Sequence, residues 1–361
     1  MSDFSGTDVN TYLEEIIEVL DFQSINGFMN DHMRIEMDMA QLIKEISLHG
    51  LDALNKENIT LLFFDTIFYE ISIARPIFVK ILLFAMLFSI IHRLIVSNKT
   101  YVSNIGFLLI YVTLMVLLMQ SFFLVRDIAM EGMNGILAFL QVLIPTYTMT
   151  MVFTGNIVTG AVAYELAFFL VYLISFLMKY LFSPMIHVLV LVLFLNHLFD
   201  EDKLSKLAEF MEKMISLILK VAFGAVVGLG VVQSLLTPMK DRLANNVMLS
   251  GVSSLPGIGG ALGSVGEIVF SCGMLIKNSV GIAGLIILLV ITLVPVLKMV
   301  VFWMMYHLLS VILQPVADIR LVKCVSGIAK GCDLYLKIIL YVMLLFFVLI
   351  SMVTMATSFV F

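Results

Sequence analysis

The chain is short of charged side chains and of cysteines, and each shortage narrows what the protein can be. Charged residues make up 13% of its 361 residues and hydrophobic residues 61%, whereas soluble domains carry about 25% charged residues. No water-soluble fold could bury that much apolar surface, so the sequence predicts an integral membrane protein. Three cysteines, all outside the acidic N-terminal region, argue against a disulfide-stabilised scaffold.

The sequence also lacks the motifs that indicate enzymatic chemistry. It has no Gly-rich phosphate loop, no catalytic triad, no zinc-ligand spacing and no nucleotide fingerprint. Cys324 and Cys332 lie eight residues apart without a nearby His cluster, so we expect them to pack between helices rather than bind a metal. We therefore predict no enzymatic activity, no catalytic or metal-binding residue, no cofactor and no nucleic-acid partner. An ATP-driven activity would need another subunit.

The apolar segments have the length of membrane-spanning helices. They run continuously for about 20 residues instead of alternating over about 10, which favours helices over a β-barrel. The sequence thus predicts an all-α polytopic membrane protein with seven to eight spans. These spans are predicted at 76–96, 105–125, 135–154, 157–182, 185–199, 215–237, 281–312 and 334–360. The run 185–199 is short for a span and could form one arm of a hairpin with 157–182.

Residues 1–75 differ from the rest, because they hold 14 of the 26 acidic residues and only 4 of the 21 Lys and Arg. They predict a small helical region, in which one helix begins near Asn30 or Asp31 and places Ile35, Met39, Leu42, Ile43 and Ile46 on one face. Basic residues mark the loops at 93–104 and 318–333 as cytoplasmic. The N-terminal region is then extracytoplasmic, which requires a signal peptide that has been removed or an unusual insertion route.

Two parts of the chain repeat each other at a distance of about 113 residues. Pro145 precedes Pro184 by 39 residues, and Pro256 precedes Pro295 by the same number. Gln120-Ser121 in the first part matches Gln233-Ser234 in the second. Lysines follow with equal spacing at 206, 213 and 220 and at 323, 330 and 337. Such duplication is common among membrane transport proteins. Residues 200–214 correspond to 317–331 in the repeat, so both segments should lie on the same, cytoplasmic side of the membrane.

The repeat and the hydropathy divide the chain into five parts. The predicted parts are 1–75, the acidic extracytoplasmic and interfacial helical region; 76–104, the first transmembrane helix and a basic loop; 105–217, membrane repeat 1; 218–333, membrane repeat 2; and 334–361, the last transmembrane helix.

Prolines and glycines predict interruptions inside the repeats. Pro145, Pro184, Pro256 and Pro295 are the predicted helix breaks, because proline lacks the backbone donor that a helix interior needs. The stretch 250–284 also contains nine glycines, which permit close packing and backbone breaks. Two interpretations stay open for 128–155 and 250–284. They are broken or re-entrant segments that line a polar path, or they are tightly packed helices with charges in loops.

Polar side chains in these segments are the candidate functional residues. In lipid they would be costly unless they face protein, water or one another. The candidate polar path consists of Thr146, Thr148, Asn156, Glu165, Glu267, Lys277 and Asn278. Glu165 and Lys277 occupy near-equivalent repeat positions and could pair across a symmetry axis. The competing interpretation is that the threonine hydroxyls bond back to their own helix.

Three segments carry a family resemblance: 144–156 (IPTYTMTMVFTGN), 253–267 (SSLPGIGGALGSVGE) and 275–284 (LIKNSVGIAG). With them the chain, from about residue 75 to its end, resembles the stage III sporulation protein AE family of endospore-forming bacteria. The resemblance implies a role during engulfment, in the mother-cell-derived outer membrane around the forespore, with the N-terminal region facing the intermembrane space. It implies a transenvelope channel complex, or feeding tube, between mother cell and forespore.

The resemblance also implies partners, and two functions remain open. The expected partners are other stage III sporulation operon proteins, namely membrane subunits, ring-forming proteins and a cytoplasmic ATPase, together with the lipid bilayer; a homo-oligomer is compatible. A permease-like or channel-forming subunit would line a path with the polar residues listed above. A non-conducting membrane scaffold would bond those groups inside packed helices and bind partners through 1–75, 200–214 and 316–333.

Overall fold

The computed structural model describes residues 22–32, 38–49, 56–96, 101–154, 156–198, 203–253 and 259–358. Within these ranges the chain forms long helices joined by short connections. The helices are α1 (Gln23–His32), α2 (Met39–His49), α3 (Lys56–Val96), α4 (Tyr101–Phe153), α5 (Ile157–Phe176), a π-helical segment (Leu177–Phe182), α6 (Ser183–Leu198), α7 (Ser205–Ser253), α8 (Gly259–Leu313) and α9 (Ile319–Ser358). The all-helical prediction is confirmed for the described chain.

Four helical stretches of the described residues are long and apolar enough to cross a membrane. They are Tyr111–Val152, Ile157–Asn196, Met274–Leu313 and Ile319–Met355, of 37 to 42 residues each. Seven to eight separate spans are not confirmed, because predicted neighbours merge: 105–125 and 135–154 both lie in α4, and 157–182 continues into α6 through the π-helical segment. Charged residues between two apolar runs, such as Arg126 and Asp127, indicate a loop by sequence. A helix accommodates them equally well where their side chains reach the surface.

The prolines interrupt the helices less than the sequence predicts. Pro145 and Pro295 lie inside the continuous helices α4 and α8, so the predicted breaks at these two positions are wrong. One lost hydrogen bond is tolerated where neighbouring helices hold both flanks. Pro184 lies two residues after the end of the π-helical segment, in which regular α geometry is lost. Pro256 lies outside the described residues.

Helices α4 and α8 pack antiparallel along a seam of close contacts. A Cβ added to Gly132 would overlap the ring of Pro295. Further along, a Cβ on Gly284 would come 2.8 Å from Leu143, and one on Gly281 would come 2.7 Å from Thr354 and 3.3 Å from the hydroxyl of Tyr147. Small residues allow such close approach of two backbones in an apolar environment. The seam therefore fixes the register between α4 and α8.

Helix α3 runs parallel to α8 and is fixed to it by an ion pair. Glu70 is 4% exposed, and its carboxylate lies 3.5 Å from the ammonium group of Lys298. Phe78 packs edge-on against Tyr306 with ring centroids 4.8 Å apart. The interfacial helix expected before residue 76 is thus continuous with the first predicted span, since α3 extends from Lys56 to Val96.

Helices α7 and α9 lie side by side and run parallel. Glu212 and Lys330 form an ion pair at 3.5 Å, and the rings of Phe223 and Tyr341 are 5.8 Å apart. Both contacts join residues 118 positions apart, close to the 117 positions that separate the repeated lysines. Helices that correspond in the predicted repeat therefore lie next to each other at almost the same height.

The segments predicted to be cytoplasmic meet at one end of the bundle. Near this end, the Ser89 hydroxyl donates to the carbonyl of Val316. The Tyr111 hydroxyl donates to the carbonyl of Phe194, 2.9 Å away, and the amide of Leu204 donates to Asn196 Oδ1 at 2.7 Å. The ends of α3, α6 and α8 and the starts of α4, α7 and α9 thus share one side of the molecule.

The N-terminal helices cover part of the bundle. Four of the five residues of the predicted apolar face of α2, Met39, Leu42, Ile43 and Ile46, are buried, and Ile35 lies outside the described residues. The predicted start near Asn30 or Asp31 is wrong, because these residues belong to α1 and α2 begins at Met39. Helix α2 packs on α8 and α1 packs on α4. Asn26 joins α1 and α2, since its Oδ1 accepts a hydrogen bond from the amide of Met39 at 2.8 Å.

We predict that Gly132→Ala destabilises the bundle, whereas Gly135→Ala on the same helix does not. The new Cβ at 132 meets Pro295, while nothing lies within 4 Å of the Cβ position at 135. Gly132→Ala should lower the free energy of unfolding by about 1–3 kcal/mol, and Gly135→Ala should raise it by up to about 1 kcal/mol through helix propensity. Unfolding in detergent, followed by circular dichroism, measures both. Equal effects of the two substitutions would contradict the proposed seam.

We predict that Lys298→Met destabilises the protein by about 3 kcal/mol, because it leaves the buried Glu70 carboxylate without its partner. Glu70→Gln combined with Lys298→Met should be markedly less damaging than Lys298→Met alone. Lys213→Met, at a well-exposed lysine, is the control and should change the unfolding free energy by less than about 1 kcal/mol. Strictly additive effects in the double-mutant cycle would show that the pair contributes nothing.

Candidate functional site

The described chain turns within the first predicted repeat at the corner between α4 and α5, next to Thr154 and Asn156. Asn156 is 1% exposed, and its Nδ2 donates to the carbonyl and to the hydroxyl of Thr154 at 3.1 and 2.9 Å. Of the two polar atoms of the Asn156 side chain, only the nitrogen Nδ2 can donate to a carbonyl, so this hydrogen bond fixes which atom points to Thr154. Asn156 Oδ1 is buried without a hydrogen-bond partner among the described residues. Such an acceptor is costly and is a common feature of functional sites.

The threonines of the candidate path bond to their own helix. The hydroxyl of Thr148 donates to the carbonyl of Ile144 at 2.8 Å, and that of Thr146 points to the carbonyl of Val142 at 3.4 Å. Thr150 and Thr154 do the same with Tyr147 and Met151. The interpretation that these hydroxyls bond back to the backbone is confirmed for all four. Their oxygens retain lone pairs but offer no free hydrogen to a passing molecule.

Lys277 is fully buried on α8, with 0% exposure. It lies one turn before Gly281 and so continues the α8 face that packs on α4. The antiparallel register that pairs Gly284 with Leu143 and Gly281 with Tyr147 places Lys277 level with Thr150. The structure therefore brings Lys277 close to the corner in height.

The remaining path residues do not join this group. Glu165 is exposed on the surface of α5 and Lys277 is buried on α8, and their pairing across the repeat stays a prediction. Asn278 is half-buried on α8. The side chain of Glu267 lies outside what the structure describes. Thr148, Asn156 and Lys277 thus lie at similar heights near the same end of the bundle, whereas Glu165 is exposed on the surface of α5.

A cavity beside the corner is small and apolar. Its volume is about 30 Å³, which is enough for one water molecule. At its edge, the hydroxyl groups of Tyr147 and Thr354 bond to each other. Ten of its twelve lining residues are hydrophobic, and the cavity lies between α4, α5 and α9: Leu140, Leu143, Ile144, Tyr147, Thr148, Met151, Ala163, Ala167, Phe346, Leu349, Ile350 and Val353. This cavity is therefore no polar path through the described part of the bundle.

Buried tyrosines form polar contacts that sequence reasoning missed. The Tyr111 hydroxyl lies 2.8 Å from Cys324 Sγ, and the Tyr306 hydroxyl bonds to that of Ser121. The Tyr335 hydroxyl lies 3.3 Å from that of Ser183. Each contact joins two helices. A tyrosine inside an apolar run is the signal that could have indicated them, because a buried phenol requires a hydrogen-bond partner.

Ionisable residues on six helical segments lie at one level near the middle of the long helices. Pro295 meets Gly132, so Lys298 and its partner Glu70 lie within a turn or two of Arg126. Lys179 precedes Ser183, which contacts Tyr335, by one turn. Lys220 lies between two α7–α9 contacts, level with Lys337. We call this set the charged belt: Glu70, Arg126, Lys179, Lys220, Lys298 and Lys337.

The start of α7 carries a charged surface next to α9. Glu209 accepts hydrogen bonds from Lys213 at 2.7 Å and from Lys206 at 3.4 Å. The hydrogen bonds from Lys213 and Lys206 lower the pKa of Glu209, and the hydrogen bond between Lys213 and Glu209 raises the pKa of Lys213. Both carboxylate and ammonium are therefore charged at neutral pH. Together with Lys330 and Glu212 they give this end of the bundle a polar surface.

Comparison with known proteins places this architecture in a family. A family model described as stage III sporulation protein AE matches residues 37–357. Stage III sporulation protein AE of Bacillus subtilis (strain 168) is 24% identical over 297 residues, which cover 81% of this chain and 74% of that protein. No solved structure matches the chain. The family match takes in α2 to α9 almost completely, including the corner, the seam and the charged belt, and the chain belongs to the stage III sporulation protein AE family.

Proposed function

We propose that this chain is a membrane scaffold that anchors and organises partner subunits of a transenvelope sporulation complex between mother cell and forespore. The observation that carries the proposal is that Thr146 and Thr148, the two threonines of the candidate path, bond within their own packed helix and offer no hydrogen to a path. The threonine hydroxyls bond to their own backbone, and the cavity beside them is apolar. Family membership supports a role in sporulation, and the apolar helices support a place in a membrane.

The proposed partners and location follow from the same assignment. The partners are other stage III sporulation operon proteins: membrane subunits, ring-forming proteins and a cytoplasmic ATPase. The proposed location is the mother-cell-derived outer forespore membrane, with the N-terminal region in the intermembrane space. The charged end formed by the starts of α7 and α9 offers Lys206, Lys213 and Lys330, all well exposed, as contacts for a soluble partner on the cytoplasmic side. We propose no catalytic role.

A second candidate is a channel-forming or permease-like subunit, and Glu165 is the observation that favours it. This carboxylate is exposed on α5, inside the apolar stretch Ile157–Asn196. A charged side chain that faces lipid at the centre of a bilayer costs about 3 kcal/mol or more. Glu165 would therefore face a second copy, a partner or water. A polar path would then lie between subunits, with the duplicated units of about 113 residues arranged around it.

Neutral substitutions distinguish the two functions. Glu165→Gln, Glu267→Gln and Lys277→Met each remove one charge at nearly constant side-chain volume, and Lys80→Met, at an exposed lysine of α3, is the control. Two properties are measured in sporulating cells: forespore gene expression late in engulfment, and recovery of partner subunits with the tagged protein. A scaffold predicts that the two properties change together in every variant, and that Glu165→Gln and the control change neither.

The opposite pattern would refute the scaffold. If Glu165→Gln abolished late forespore gene expression while partner recovery stayed at the level of the control, the charge itself would be needed after assembly. That result would establish the channel-forming candidate. Loss of partner recovery in Lys277→Met together with loss of expression would support the scaffold, because it would show that this buried residue serves assembly.

A further inference from the structure

A row of polar side chains runs along the exposed face of α4. Every seventh residue from 113 to 141 is polar and exposed: Thr113, Gln120, Asp127, Asn134 and Gln141. A seven-residue spacing drifts only about 20° per repeat around a helix, so the five side chains stay on one face. Glu131 lies one turn after Asp127 and is also exposed on this face. We call these six residues the polar stripe of α4.

The polar stripe belongs to the apolar stretch Tyr111–Val152, and most of it has no partner inside the described chain. Asp127 pairs with its neighbour Arg126 at 2.7 Å, and the Thr113 hydroxyl donates to the carbonyl of Leu109 at 2.9 Å. Within the described residues no hydrogen bond or ion pair is formed by the other four: Gln120, Glu131, Asn134 and Gln141. Amides and carboxylates that face lipid are costly. We therefore expect protein to cover the stripe in the assembled molecule.

Helix α7 presents the complementary charge on an exposed face. Lys220 is exposed and forms no ion pair with a described residue. The nearest acidic residue of α7, Glu212, lies about two turns away and pairs with α9 instead. Gly224 and Gly228 follow Lys220 at four-residue spacing, and nothing lies within 4 Å of the Cβ position of either glycine. This face is therefore a shallow groove with one cation, which we call the α7 groove, and its small residues let another helix come close.

The polar stripe and the α7 groove lie at the same height in the bundle. The two contacts between α7 and α9 described above join residues 118 positions apart. Contacts between α4 and α9 join residues 207 to 213 positions apart: Tyr111 with Cys324, Phe122 with Gly331 and Tyr147 with Thr354. Lys220 is therefore level with residues 125–131 of α4, the part that contains Asp127 and Glu131. All three helices run in the same direction.

We propose that the polar stripe of α4 packs into the α7 groove of a second copy of this chain, with Glu131 of one copy against Lys220 of the other. Copies in one membrane share their orientation, so side chains that are level within one chain are also level between copies. The opposite charges that lack partners in the described chain then meet, and Asn134 comes level with Gly224. The contact joins two different surfaces, so it closes only in a ring of copies. It goes beyond the scaffold function and does not depend on it.

Disulfide cross-linking between two tagged copies tests the geometry. Two full-length chains with different tags are co-expressed in a host that lacks the other sporulation proteins, one with Asn134→Cys and the other with Gly224→Cys. Oxidation should give a mixed dimer severalfold above the background from the chain's own cysteines. Asn134→Cys with Leu289→Cys, at an exposed position of α8 between the seam contacts at Gly284 and Pro295, is the control pair. Absence of the mixed dimer, or an equal yield from the control pair, would overturn the proposal.

Charge reversal tests the ion pair itself. Lys220→Glu alone and Glu131→Lys alone should each reduce co-purification of the two tagged copies severalfold, because each places like charges together. A chain with both reversals carries the opposite pair and should recover most of the co-purification. Lys80→Glu, at an exposed lysine of α3, is the control and should change nothing.

Two results would refute this contact between copies. The first is single reversals without effect, or a double reversal that stays as low as the single variants although all chains reach the membrane in equal amounts. The second is association of the two tagged copies only when the other sporulation proteins are co-expressed, which would show that a different partner covers the polar stripe.

Discussion

The close approach of α4 and α8 is the constraint on which the rest of the bundle depends. Gly132 admits the ring of Pro295, and Gly281 and Gly284 admit Tyr147 and Leu143. In a membrane the hydrophobic effect gives two helices little reason to associate, so packing and interhelical hydrogen bonds must hold them together. The hydrogen bond between Ser121 and Tyr306 lies on the same seam. One register thus sets the height of Lys277 at one end and of Lys298 in the middle.

That register explains why polar groups survive inside so apolar a molecule. Lys298 reaches Glu70 because α3 runs parallel to α8 and keeps the two residues level. The buried tyrosines each meet a hydroxyl, a thiol or a carbonyl on a neighbouring helix. An unsatisfied polar group in hydrocarbon costs several kcal/mol, so these contacts make alternative helix packings expensive. Two buried side-chain atoms of the described residues, Asn156 Oδ1 and His187 Nε2, have no such hydrogen-bond partner.

Sequence alone predicts the parts of this fold that depend on composition and local pattern. Hydropathy predicts an all-helical membrane protein, and helical spacing predicts the buried face of α2 at Met39, Leu42, Ile43 and Ile46. Span number is harder, because Arg126 and Asp127 between two apolar runs resemble a loop. In the structure both residues lie inside the continuous helix α4, with Arg126 half-buried and Asp127 exposed. Their side chains form an ion pair at 2.7 Å. The partner of Glu70 cannot be read from sequence either, since Lys298 lies 228 positions away.

The predicted repeat and the site meet in the arrangement of α7 and α9. Contacts between these helices join residues 118 positions apart, nearly the period of the repeated lysines. For the predicted repeat, two corresponding helices that lie parallel and level would be related by an axis that runs along them, as in parallel repeats about the membrane normal. Ile215 on α7 and Ile338 on α9 are both 0% exposed, so the described stretches of these two helices contribute apolar side chains to the core. The described cavity beside the corner is apolar, so in the channel-forming candidate the path would lie between chains and begin at Glu165, on the outer surface of α5.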